Sequence, residues 1–215
     1  VDYVMAAARS VSQHIKAGDI VILESTSPVG TTALVTDVLA KQGVNVDEIS
    51  IAYCPERVLP GKIMLELVKN DRVIGGINEV STHVVADFYR NFVQGEILET
   101  EAQTAEMCKL TENSFRDVNI AFANELSMIC ANNGVDVWEL IKLANHHPRV
   151  NILQPGTGVG GHCIAVDPWF IVSSDQKNSK LIKQAREVND SKPNWVVEKI
   201  SQEAKDSGKA NPQIA

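Results

Sequence analysis

The sequence predicts an α/β chain: a parallel-sheet region over residues 1–98, a mainly α-helical region over residues 99–206 built around one long helix, and a short tail at 207–215. Two observations predict it. As far as about position 98, short β-branched runs alternate with helical segments of about 10 to 15 residues, the pattern of βαβ units. From Thr100 onward the apolar residues recur at helical spacing without a strand signal. No repeat or low-complexity tract interrupts either region.

The elements follow in order. Asp2 to Lys16 reads as a helix closed by Gly18, and DIVILES (19–25) as a strand. The loop Thr26–Gly30 leads into the helical TTALVTDVLAKQG (31–43). A second strand, 49–54, ends at Pro55; a third, 71–76, precedes a helix from Val80 to Phe92. These strands are too few for a complete doubly wound sheet. The long helix is expected from near Thr100 to Asn132, with Ala105, Cys108, Phe115, Phe122, Leu126 and Ile129 as its apolar stripe and Gly134 as its C-cap. Asp136 to Glu139 reads as a capping box for a shorter helix that ends before Pro148. A glycine loop and two further helices, Ser179 to Asp190 and Pro193 to Lys205, complete the chain. Because it opens on Val1 and enters a helix at once, it is expected to be a piece of a longer protein.

Composition excludes several classes. A net charge of −7 opposes nucleic-acid binding, which needs a cationic surplus. Cys54, Cys108, Cys130 and Cys163 form no CxxC, so neither a disulfide framework nor a zinc ribbon is indicated, and a reducing cytoplasm is expected. No apolar run approaches the ~20 residues that span a bilayer, and no secretory signal pattern opens the chain.

The stretch GTGVGGHCIAVDP (156–168) carries two chemistries. It matches GxGxxG, but a dinucleotide fingerprint leaves a strand and opens a helix, whereas this one follows a helical stretch. A surface turn, or glycines that let a ligand approach beside the thiol of Cys163, are the other readings. Cys54, Cys108 and Cys130 sit on a strand or an apolar stripe and are explained as small hydrophobes; Cys163 is not. Lys109, Asn113 and Arg116, at i, i+4 and i+7, share one helix face. That row is either a solvated face or a grip for an anionic or polyhydroxyl ligand. His146-His147-Pro148-Arg149 lacks metal-ligand spacing, so no metal is expected. Glu56, in YCPERVLPG, stands where a parallel strand ends, the ligand-binding edge of open α/β sheets; it is a base or simply a helix-start acid.

Taken together, ESTSPVGTT, YCPERVLPG, EMCKLTENSFRDVNIAFANE, NHHPRVNILQPGTGVGGHCIAVDP and AREVNDSKP resemble the UDP-glucose/GDP-mannose dehydrogenase family along nearly the whole chain. The resemblance implies the later part of a Rossmann-like NAD domain, without its N-terminal fingerprint, followed by the family's central dimerisation domain. A third, UDP-binding domain would lie beyond the tail. It also implies NAD as cofactor, a UDP-sugar substrate and a homodimer through the long helix. Cys163 corresponds to the catalytic cysteine, Lys109 and Asn113 to the residues supporting an oxyanion and a water, and Asp167 to their partner. Glu56 corresponds to a glutamate of proton transfer and thioester hydrolysis, and Thr26 to a threonine holding water and cofactor. PERVLPG, HPRVNILQPG and the histidine before the cysteine are most similar to the branch that oxidises UDP-N-acetyl-D-mannosamine at C6 for bacterial surface polysaccharides. There Arg57, Val58, Arg116, His147, Arg149 and Gly160 correspond to substrate contacts, Arg149 reaching the partner's site. Val166 and Pro60 replace a lysine and an acidic residue of UDP-glucose enzymes, which turns the expectation away from glucose. The isolated chain is expected to be inactive. The competing readings are a related UDP-glucose or UDP-GlcNAc dehydrogenase, a cofactor-free cysteine hydrolase or acyl transferase, and a non-catalytic dimerisation module.

Overall fold

The computed structural model describes residues 1–58, 61–209, 212 and 213. Pro60, and the comparison resting on it, lies outside the described residues, as does Leu59 of the same motif. The elements are α1 (Asp2–Ser12), β1 (Ile20–Leu23), α2 (Thr31–Lys41), β2 (Ser50–Tyr53), α3 (Ile63–Lys69), β3 (Arg72–Gly76), α4 (Glu79–Arg90), β4 (Ile97–Glu101), α5 (Ala102–Asn133), α6 (Val137–Ala144), α7 (Asp167–Ser174) and α8 (Lys180–Asp206). They fall into two compact units, Val1–Thr111 and Glu112–Ala215, divided inside α5.

The first unit is a four-stranded sheet in sequential order, β1-β2-β3-β4. It is not wholly parallel. β1 and β2 run parallel, as do β3 and β4, but β2 meets β3 antiparallel, with Tyr53 opposite Gly75. The reason lies in the connections. β1 to β2 and β3 to β4 each cross through a helix of 11 or 12 residues, whereas β2 to β3 has only the 7-residue α3. Side chains alternate across the sheet. Ala52, Cys54 and Ile74 pack under Val85, Ala86 and Tyr89 of α4. Ile51 packs with Val35 and Leu39 of α2 and Ala8 of α1, while Tyr53 and Val73 pack with Ala105 of α5. β4 and α3 are additions to the predicted elements. β4 reads ILETE, an edge strand whose acidic residues hide the apolar alternation.

In the second unit, α5 and α8 supply the frame. The predicted stripe of α5 holds only in part: Ala105 is buried and Cys108 and Leu126 half-buried, but Phe115, Phe122 and Ile129 are 71%, 57% and 50% exposed. Its buried residues here are small or polar, among them Ser114, Asp117, Ala121, Asn124 and Ser127. Hydrogen bonding is the cause. Arg186 Nη1 donates to Asp117 Oδ1 at 2.6 Å, Asn189 Nδ2 to the same oxygen at 2.8 Å, and Asn124 Nδ2 to Asn189 Oδ1 at 2.9 Å. A buried charge is tolerated when it is paired and bonded in this way.

α8 runs unbroken through Pro193, against the expectation of two helices. An interior proline costs about 3 kcal/mol or more in a helix. Arg186 and Asn189 anchor the turns before it, and each such bond returns about 1 kcal/mol. Helix α5 ends at Gly134, φ 67°, where the Val135 N–H donates to the Cys130 carbonyl at 3.0 Å, a Schellman closure. Asp136 then caps α6, accepting from the Trp138 N–H at 2.8 Å.

Candidate active site

In the first unit, two loops leave the C-terminal ends of the parallel pair β1 and β2. The first, Glu24–Gly30, carries the half-buried Thr26. The second carries Glu56, Arg57 and Val58. They are stitched together: the Glu56 N–H donates to the Glu24 carbonyl at 3.3 Å, and Tyr89 Oη donates to Glu24 Oε1 at 2.6 Å. Glu56 Oε1 accepts from the N–H groups of Arg57 (2.6 Å) and Val58 (2.7 Å), which fixes its rotamer over its own loop. Its Oε2 faces the buried Arg72 guanidinium at 3.8 Å.

Lys109 arrives from α5, and its Nζ donates to the Glu56 carbonyl oxygen at 2.7 Å. An ammonium has three donors, so this bond orients the lysine and leaves donors for a ligand. The Arg57 guanidinium lies 3.6 Å from Cys108 Sγ, on the residue before Lys109. The structure therefore brings Glu56, Arg57, Val58 and Lys109 together on one sheet edge, beside the Thr26 loop.

The second unit builds its own cluster. Asn113 Nδ2 donates to Asp167 Oδ2 at 2.5 Å, and Asp167 is 4% exposed. The Cys163 carbonyl accepts from the N–H groups of Val166 (3.0 Å) and Asp167 (2.8 Å), so the cysteine ends the glycine loop just where α7 begins. Cys163 is exposed, whereas Cys54 and Cys130 are buried. The loop is anchored at its start by the Gly156 N–H on Asn124 Oδ1, 2.8 Å. Gly158, at φ 142°, passes so close to α8 that a Cβ there would stand 3.0 Å from Pro193 Cγ.

Arg116 and Arg149 line one cleft of about 590 Å³ with Phe115, Asn119 and Asn151, and with one carboxylate, Glu112. Two guanidinium groups beside an amide and an aromatic ring suit an anionic, hydroxylated ligand. His147 and Gly160 are exposed and are not among the residues lining it. His147 Nδ1 accepts from the Arg149 N–H at 3.3 Å. Asn145, unnoticed in the sequence, clamps this segment by bonding both backbone groups of Ile152. Among the described residues no group of three or more His, Cys, Asp and Glu is placed to hold a metal ion, and no helix is long and apolar enough to cross a membrane.

A second residue that sequence reasoning missed is Glu106. It is fully buried and accepts from the N–H groups of Gly30 (2.5 Å) and Thr32 (2.7 Å) and from Thr32 Oγ1 (2.7 Å). The available signal was positional. Glu106 falls on the face of Ala102, Ala105 and Leu110, and α2 has no side-chain cap of its own. For a dinucleotide this matters: the α2 N-terminus, a natural phosphate site, is already taken by a carboxylate.

Polar loops at the C-terminal edge of an α/β sheet are the plan of a nucleotide-binding domain. Residues 1–93 match the NAD binding domain, and residues 103–191 the central domain, of the UDP-glucose/GDP-mannose dehydrogenase family; the chain belongs to that family. It is 59% identical over 207 residues to UDP-N-acetyl-D-mannosamine dehydrogenase of Escherichia coli (strain K12), covering 92% of this chain and 49% of that protein. It is 56% identical over 212 residues to NDP-N-acetyl-D-galactosaminuronic acid dehydrogenase of Ralstonia nicotianae, covering 94% and 50%. Among solved structures it resembles UDP-D-ManNAc dehydrogenase from Pyrococcus horikoshii, with a TM-score of 0.90, 43% identity, and 96% and 50% coverage. The chain thus spans about half the length of the relatives it matches.

Proposed function

We propose that the protein carrying this chain oxidises UDP-N-acetyl-D-mannosamine at C6 to the uronate, taking four electrons from each sugar. The observation that carries this reading is the exposed Cys163, one turn before the buried Asp167 that opens α7 and is bonded to Asn113. NAD, used twice per sugar, supplies the hydride acceptor. The protein's own residues do the rest. The alcohol carbon loses hydride and its hydroxyl a proton to give an aldehyde; the Cys163 thiolate adds to it, and the resulting oxyanion takes up a proton to give a thiohemiacetal. Loss of a second hydride and a proton gives a thioester, which water cleaves to the carboxylate and the free thiol. Lys109 stabilises the oxyanion, Asn113 and Asp167 hold the water, Glu56 moves its proton, and Thr26 orients water and cofactor. Arg57, Val58, Arg116, His147, Arg149 and Gly160 contact the sugar nucleotide.

On this reading residues 1–98 are the later part of the NAD domain, residues 99–206 are the central domain, and segments outside the chain complete the site. The protein acts in the cytoplasm on a soluble nucleotide sugar. The exposed row Phe115, Phe122 and Ile129, seven residues apart, serves as the seam of a homodimer. The Ralstonia relative favours one second reading, a differently configured N-acetylhexosamine as the sugar.

The test is NADH released per UDP-N-acetyl-D-mannosamine consumed, with the chain in its natural flanks. Two per sugar, abolished by Cys163→Ala and reduced about 100-fold or more by Lys109→Ala, supports the reading. Turnover of another nucleotide sugar alone moves the substrate, and turnover that survives Cys163→Ala overturns the mechanism. The isolated 215 residues are expected to show none.

A further inference from the structure

We propose that Glu106 is a positioning residue for this reaction, closing a ring of hydrogen bonds that holds Thr26, Glu56 and Lys109 in fixed relation; the inference rests on the function proposed above. The ring can be followed bond by bond. Glu106, on α5, binds the α2 N-terminus through Gly30 and Thr32. The loop leading into that terminus carries Thr26 and begins at Glu24, whose carbonyl accepts from the Glu56 N–H. The Glu56 carbonyl accepts from Lys109 Nζ, and Lys109 lies three residues after Glu106 on the same helix.

A buried carboxylate is a costly way to cap a helix. A serine or aspartate at position 30 could satisfy the Thr32 N–H locally but not the Gly30 N–H, and the φ of 93° there favours glycine. A carboxylate sent from α5 does something a local cap cannot: it ties the loop to the turn that bears the lysine. Both oxygens are used, Oε2 by Gly30 and Oε1 by Thr32 N–H and Oγ1, so the tie resists both sliding and rotation. The favourable dipole of the α2 N-terminus adds to its hold on the charge.

Glu106→Gln tests this in the full-length enzyme. A glutamine keeps one acceptor but turns an NH2 against an N–H donor. Displacement of catalytic groups by about 1 Å lowers rates on the order of 100-fold, so kcat is expected to fall about 10- to 100-fold while KM for the UDP-sugar stays within about twofold. Thr32→Val, which keeps shape and loses only the hydroxyl bond, is expected to lower kcat about 3- to 10-fold. In a double-mutant cycle on kcat the two losses combine to less than their product. A merely structural cap would couple the two variants in melting temperature and leave kcat per folded enzyme unchanged; that result overturns the proposal. If Glu106→Gln fails to fold, Thr32→Val decides alone, a wild-type kcat counting against the ring. A wild-type enzyme inactive on every UDP-sugar overturns the dehydrogenase reading and the ring with it, whereas an active wild type with unaltered variants overturns the ring only.

Discussion

Asn113 and Asp167, 54 positions apart in sequence, are joined by a 2.5 Å hydrogen bond that fixes the start of α7 to α5. Because Cys163 gives its carbonyl to the Asp167 N–H, the same aspartate also sets where the thiol loop ends. One buried carboxylate therefore connects the helix face read from the sequence to the cysteine read from the sequence.

Asp167→Ala removes the hydrogen bond of the half-buried Asn113 amide, and such a bond contributes about 0.5–1.5 kcal/mol. The expected loss of unfolding free energy for the chain, measured by urea titration, lies in that range. Asp167→Asn is expected to lose less than half as much, since its carbonyl can still accept from Asn113. Equal losses for the two variants would mean that charge, and not the hydrogen bond, holds the contact.

Two glycines of the same loop should respond oppositely to alanine. Gly158 combines φ 142° with a Cβ position 3.0 Å from Pro193 Cγ, so Gly158→Ala is expected to cost about 1–3 kcal/mol. Gly160 has open space within 4 Å of its Cβ position, so Gly160→Ala should leave stability within about 0.5 kcal/mol. Thermal melts followed by circular dichroism compare them directly.

Lys192 is 3% exposed, with Nζ donating to Ser127 Oγ at 2.6 Å and lying 3.9 Å above the Trp195 ring. Burial pushes its ammonium below the ordinary lysine value. Between that depressed value and the unfolded one of about 10.4, the unfolded chain binds more protons than the folded chain, so stability rises with pH through the window. At lower pH the cost of burying the cation is fully present. Lys192→Met, of similar shape, is expected to remove this rise and to equal or exceed the wild type at neutral pH. Denaturant midpoints across the alkaline range check it, and an unchanged slope in the variant would assign the rise to another group.

The sheet strands and the long helix were legible because β-branched runs and helical spacing are local signals. β4 was not, since its glutamates at 99 and 101 break the apolar run by which β1 and β2 were read. The stripe on α5 was misassigned in part for a related reason. Phe115 and Phe122 are its largest apolar residues, but the α8 contact selects partners that hydrogen-bond, namely Asp117 and Asn124. The site residues were legible one by one. Their connections were not, because Lys109 to Glu56 and Asn113 to Asp167 are bonds between segments more than 50 positions apart.

By itself the sequence determined which residue types stand in which order: the thiol after its glycines, the lysine and asparagine one helical turn apart, the carboxylate after a strand. Spacing along a helix or strand is fixed by covalent geometry, so that much needs no fold. Only the tertiary structure decided that β2 meets β3 antiparallel, that α8 passes through Pro193, and that Glu106 caps a helix whose first residue lies 75 positions upstream. Those outcomes turn on which buried polar groups find partners, and a buried group's partner is set by packing in three dimensions, where sequence separation carries no weight.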